Sequence, residues 1–117
     1  MAYKLYIDDQ LDEVESRKIP IGFIGAKSSD EAWNILMSKG IPDVMDLDHD
    51  LHDGDSIRIF LNRIKNEYEF PLPPPPKVVI VHSMNNMAYD WIVDFFKSWC
   101  NVFDYEYPVF VKRDLNI

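Results

Sequence analysis

Val44-Met45-Asp46-Leu47-Asp48-His49-Asp50-Leu51 begins as a short apolar strand and runs out into carboxylates and one imidazole. That composition is too costly to bury unless the charges are paired, hydrogen-bonded or bound to a cation. The stretch therefore reads as a buried strand that ends at a site. Asp46 alternates onto the same face as Asp48, one step deeper, where it suits a group that supports Asp48 or caps a helix.

The same pattern recurs on both sides. Tyr3 to Ile7 is a run of β-formers that stops at Asp8-Asp9, and the β-branched run Val78 to Val81 ends in His82-Ser83-Met84-Asn85-Asn86. Pro108 to Val111 ends in Lys112-Arg113-Asp114, and Ile21 to Ala26 supplies a further apolar run. These are strands buried on both faces with polar C-terminal ends. Between them lie helical patterns. Ser28 and Glu31 form a capping box ahead of Ala32, Ile35 and Leu36, and Gly40 and Pro42 stop that helix. Asp55 or Ser56 can cap a second helix, with Ile57, Phe60, Leu61, Ile64 and Tyr68 on one stripe. Asn85 or Asn86 can cap a third, carrying Ala88, Trp91, Ile92, Phe95, Phe96 and Trp99 on a core face. Residues 10–20 are charged, with apolar positions only at Leu11, Val14 and Ile19, and predict a loop or one or two turns rather than a full helix. Pro71-Leu72-Pro73-Pro74-Pro75-Pro76 predicts extended polyproline II, a rigid spacer feeding the next strand.

Strands alternating with amphipathic helices predict an α/β domain with a mainly parallel sheet, and ligands bind where the strand C-termini share an edge. That rule gathers Asp8, Asp9, Asp46 to Asp50, His82 to Asn85 and Lys112 into one pocket. With 117 residues, 47% of them hydrophobic, the chain suits a single domain spanning 1–117. A net charge of -8 argues against a broad phosphate-backbone surface, so contact with nucleic acid is expected to be local or metal-assisted. A small phosphorylated ligand or an RNA end fits this better. Cys100 is alone, which excludes a disulfide framework, and no apolar run is long enough for a membrane. A cytoplasmic setting is expected.

Asp8-Asp9 after strand 1, Pro42-Asp43-x-x-x-x-Asp48 in strand 3, Ser83 after strand 4 and Lys112 after strand 5 resemble the acid-site pattern of response-regulator receiver domains. The resemblance implies a flavodoxin-like three-layer sandwich with a five-stranded sheet of order 2-1-3-4-5. It also implies a Mg²⁺ held by the acidic pair and Asp48, with Asp48 as phosphoryl acceptor, Ser83 as the hydroxyl position and Lys112 as the cation. The chain departs from that pattern in three ways: helix 1 is reduced or missing, Arg113 stands where receivers usually carry proline, and His49, Asp50, His82 and Asn85 are added. With these additions, Ile7-Asp8-Asp9, Leu47-Asp48-His49-Asp50-Leu51 and Val81-His82-Ser83-x-Asn85 resemble a divergent branch, the cyclic-phosphate-processing receiver domains. Membership implies a metal-dependent phosphoesterase acting on cyclic phosphate ends of RNA or on cyclic nucleotides. Small members of this kind are also carried by bacteria and their phages as accessory proteins.

The residue types support that chemistry. Mg²⁺ or Mn²⁺ prefers carboxylate oxygens, which suits Asp9 and Asp48 together with Asp8 or Asp50. His82 or His49 titrates near neutral pH and serves as the expected general base or acid. Ser83 and Asn85 are expected to donate to phosphoryl oxygens, and Lys112 to offset developing charge. Blander readings stand beside these. Asp8-Asp9 also suits a strand-end turn and Ser83 a helix cap, while His49 alternates away from Asp48 as a structural histidine would. Two other function classes remain open. One is a catalytically inactive binding protein that uses its acidity or the aromatic stretch Phe103-Asp104-Tyr105-Glu106-Tyr107 toward a protein partner; the other is a switch phosphorylated on Asp48.

Overall fold

Parallel strands with short connections leave few topologies open, because each crossover is right-handed and must cover the sheet it leaves. The computed structural model describes residues 2–10, 19–48, 51, 54–82 and 86–113, with residue 86 described by its backbone alone. Its elements are β1 (Lys4–Ile7), β2 (Phe23–Ala26), α1 (Ser29–Lys39), β3 (Val44–Leu47), α2 (Ile57–Glu67), β4 (Val78–Val81), α3 (Asn86–Phe103) and β5 (Val109–Lys112). The sheet has five strands in the order β2-β1-β3-β4-β5, and every neighbouring pair is parallel. This is the flavodoxin-like receiver arrangement that the sequence pattern predicts.

Local chemistry sets the element ends. The Ser28 hydroxyl accepts the Glu31 N–H at 3.1 Å, and Gly40, at φ 84°, turns the chain out of α1 while its N–H donates to the Leu36 carbonyl at 2.7 Å. At α2 the N-cap position falls on Ser56, but its side chain makes no cap bond. Asp55, the residue before that cap position, links the two helix starts instead. Its two carboxylate oxygens accept the N–H of Ser56 at 2.9 Å and that of Ser29 at 2.8 Å, tying the starts of α1 and α2 together. Tyr68 lies one residue past α2, in extended conformation, with its ring edge-on to Trp33.

Strand β2 starts at Phe23 rather than Ile21. Pro20 to Phe23 closes a β-turn through a 3.1 Å bond from Phe23 N–H to the Pro20 carbonyl, with Gly22 at φ 89° and Ile21 fully exposed. Strand β5 is shifted one residue, to Val109–Lys112, because Pro108 has no N–H for the ladder while Val109 donates to the Lys77 carbonyl. At the far end of α3, Asp104 takes the left-handed conformation at φ 59°, and Tyr105 N–H returns to the Cys100 carbonyl at 2.9 Å. The proline segment is extended and braced by α3: Trp99 Nε1 donates to the Pro73 carbonyl and the Tyr105 hydroxyl to that of Leu72.

Strand alternation sorts the sheet into two different faces. Leu5, Ile7, Met45, Leu47, Val79 and Val81 form one cluster with Leu36, Phe60, Leu61, Ile64, Ile92 and Phe96 from the three helices. All three described helices therefore lie on this face, although a receiver sandwich carries helices on both. Residues 11–18, where the reduced first helix is expected, lie outside the described residues. Along the opposite face the register runs in transverse rows, Lys4-Val44-Val78-Val109 and then Tyr6-Asp46-Ile80-Val111. The next row, just past the strand ends, is Asp8-Asp48-His82-Arg113, continued by the backbone bonds Asp48 N–H to Ile7, His82 N–H to Leu47 and Arg113 N–H to Val81. The apolar face is thus the core, and the opposite face ends in a row of ionisable groups.

Candidate metal centre at the strand ends

His82 is the first residue beyond β4 and is fully buried. Its ring lies parallel to that of Tyr6 with centroids 4.8 Å apart, so the ring plane is set by stacking. Both ring nitrogens meet carboxylates. Nδ1 is in a short hydrogen bond with Asp46 Oδ1, and Nε2 is 3.1 Å from Asp8 Oδ2. Burial pulls the His82 pKa down, but the hydrogen bonds to Asp46 and Asp8, helped by the charges of Asp46 and Asp48, outweigh it and hold the pKa above the ordinary value.

Asp46 is equally buried and faces an imidazole and a guanidinium. Arg113 Nη1 lies 2.8 Å from Asp46 Oδ2, and Nη2 lies 3.3 Å from Oδ1. The guanidinium also sits 5.8 Å from the Tyr6 ring centroid, so Tyr6 is packed against both partners of Asp46. A continuous chain of polar contacts then runs from the partly exposed Arg113 through Asp46 and His82 to Asp8. Asp8 itself is fixed from the other side: its Oδ1 accepts the Gln10 N–H at 2.9 Å, which leaves Oδ2 toward His82.

Among the described residues, Asp8, Asp48 and His82 each present one ligand atom, and these atoms lie within 4.8 Å of one another. Donors bound at about 2.0–2.6 Å to a common cation stand no farther apart than roughly twice that distance, so the trio fits one divalent ion. They come from adjacent strands, β1, β3 and β4, in a single row, which is why parallel pairing brings them together. Asp9 is partly buried beside Asp8. Lys112 lies on the helix side of β5, with its ammonium 5.6 Å from the Tyr89 ring centroid on α3. His49, Asp50, Ser83 and Asn85 fall outside the described residues.

The geometry adds to the sequence reading at two residues. His82, the expected general base or acid, has each ring nitrogen within hydrogen-bond reach of a carboxylate and no exposed surface. Arg113, which the sequence reading treats only as a departure from receivers, is the group that neutralises Asp46. Its signal was strand alternation: Val109, Val111 and Arg113 share one face, and Lys112 the other.

A family model for the cyclic-phosphate processing receiver domain matches residues 3–98. The chain belongs to that family. No curated protein matches the chain, and no solved structure does. The family match spans β1 to most of α3 and so includes Asp8, Asp48 and His82, whereas Lys112 and Arg113 lie beyond it. No helix among the described residues is long and apolar enough to cross a membrane.

Proposed function

We propose that this cyclic-phosphate processing receiver domain is a metal-dependent phosphoesterase acting on a cyclic phosphate, either an RNA end or a cyclic nucleotide. The observation that carries the proposal is the meeting of Asp8, Asp48 and His82 donor atoms within 4.8 Å at the ends of three adjacent strands. Asp8 and Asp48, with Asp9 and Asp50 beside them in sequence, would hold Mg²⁺ or Mn²⁺. When bound, such an ion polarises a phosphoryl oxygen and lowers the pKa of water.

The chain's own residues supply the rest. Lys112 brings positive charge to the strand ends, where a phosphate gathers negative charge as it reacts. Ser83 and Asn85 donate hydrogen bonds to its oxygens. Since both nitrogens of His82 are engaged, proton transfer is assigned to His49. A single terminal or cyclic phosphate also suits a chain of net charge -8, which repels an extended polyanion.

The proposal is tested by calorimetric titration of Mg²⁺ and Mn²⁺ into the metal-free protein, followed by incubation with 2′,3′-cyclic mononucleotides. Saturable binding and ring opening, both lost in Asp48→Asn with its circular dichroism unchanged, are expected. Binding without turnover would sink the enzyme reading. If acetyl phosphate then adds one phosphoryl group that Asp48→Asn abolishes, the domain is a switch. A binding-module reading is favoured by one observation: a groove of about 730 Å³ between α2 and α3, lined by Trp91, Phe95, Trp99, Phe103 and Tyr68. A stoichiometric protein partner retained by Asp48→Asn and lost on Trp91→Ala would support it.

A further inference from the structure

We propose that His82 Nε2 is itself a ligand of the metal, held for that purpose by Asp46 and Arg113, so that the site takes a borderline cation such as Mn²⁺ in preference to Mg²⁺. This rests on the metal-centre reading above and deepens it, by replacing an all-oxygen donor set with one that contains a nitrogen.

Three observations carry it. His82 occupies the same transverse row as Asp8 and Asp48, and its Nε2 is already 3.1 Å from the Asp8 oxygen with which it would share the ion. The other ring nitrogen is bonded to the buried Asp46, and a carboxylate behind a ligating histidine fixes its tautomer and strengthens it as a donor. An uncompensated buried carboxylate is costly to keep charged, and Arg113, 2.8 Å from Asp46, supplies the compensating charge. The parallel Tyr6 ring, 4.8 Å from His82, removes the remaining freedom of the imidazole plane.

Loading is balanced simply. The Nε2 proton leaves to solvent, its lone pair goes to the cation, and the Nδ1 proton stays in the bond to Asp46. Imidazole nitrogen favours transition ions; Mn²⁺, which also takes the oxygen donors present here, accepts it more readily than Mg²⁺, which dehydrates reluctantly and keeps oxygen ligands.

The test is electron spin-echo modulation on the full chain loaded with Mn²⁺ alone, with parallel calorimetry of Mn²⁺ and Mg²⁺. Modulation from a directly bound ¹⁴N is expected in the wild type, together with tighter binding of Mn²⁺ than of Mg²⁺. His82→Gln should abolish the modulation and erase most of the Mn²⁺ preference, and Arg113→Met should weaken Mn²⁺ binding roughly 10-fold or more while the ¹⁴N signal persists. The wild-type spectrum needs no variant, so misfolding of His82→Gln does not protect the idea. Mn²⁺ binding that depends on Asp48 but shows no ¹⁴N modulation would overturn the inference and leave the metal centre standing. No Mn²⁺ binding at all by the wild type would overturn both.

Discussion

Asp46 is the residue on which the strand ends depend. It is a fully buried carboxylate between an imidazole and a guanidinium, so removing it leaves both without their acceptor. Breaking one side of a buried ion pair costs about 3–5 kcal/mol. Because the Arg113 side chain is 39% exposed and water can take over part of its solvation, Asp46→Ala is expected near the lower end, about 3 kcal/mol by urea denaturation. A loss below about 1 kcal/mol would mean that the cluster contributes little to folding. His82 makes a pH-dependent contribution in the metal-free protein. Its burial is outweighed by the hydrogen bonds to Asp46 and Asp8, so the folded state keeps the proton to higher pH than the unfolded chain does. The stabilisation is therefore fully present below the unfolded value of about 6.5 and is lost as pH rises through the folded one. The wild type's advantage over His82→Gln in urea midpoint should shrink steadily above neutral pH, and an advantage that grows would reverse the assignment. At this scale the placement of Asp8 and Asp48 at strand ends was legible in the sequence, because strand ends and alternation are one-dimensional facts. It was read poorly for Arg113, whose importance comes from a partner 67 positions away.

At the scale of elements, Asp55 joins two helices that sequence treats as separate. Either Asp55 or Ser56 satisfies the one-dimensional rule for capping α2, since both carry a side-chain oxygen next to the helix start. The structure puts the cap position at Ser56 without a side-chain cap bond, and uses Asp55 to accept N–H groups from Ser56 and from Ser29 across 26 positions. Asp55→Ala should cost about 1–2 kcal/mol, because two helix starts lose their acceptor, whereas Ser56→Ala should stay within about 0.5 kcal/mol. Equal losses in thermal denaturation would count against this division of labour. The strands show the same contrast. β4 at Val78–Val81 coincides with its apolar run, since β-branched residues between two polar boundaries define a buried strand. β2 and β5 differ from theirs by one or two residues, because a turn glycine and a proline set those ends through backbone hydrogen bonds rather than through hydropathy.

For the molecule as a whole, the proposed metal centre predicts ligand-linked stability. A cation that binds only the folded chain adds about 2.7 kcal/mol at 100 times its dissociation constant, which for a domain of this size raises Tm by roughly 10 °C. Mn²⁺ should produce such a shift in the wild type and almost none in Asp48→Asn; equal shifts in both would place the ion elsewhere. The topology explains why one site unites distant segments. β1, β3 and β4 are adjacent and parallel, so residues 8, 48 and 82 end in one row even though more than thirty positions separate each from the next. By itself, the sequence determined the α/β class, the polar strand ends and the family resemblance. These follow from periodicity, strand-terminal charge and short motifs, which are properties of neighbouring residues. Only the tertiary structure decided that His82 is clamped by two carboxylates, that Arg113 neutralises Asp46, and that the described helices share one face. Those outcomes depend on which strands pair and in what register, and burial makes an unpaired charge too costly to leave, so partners are assigned by space rather than by sequence.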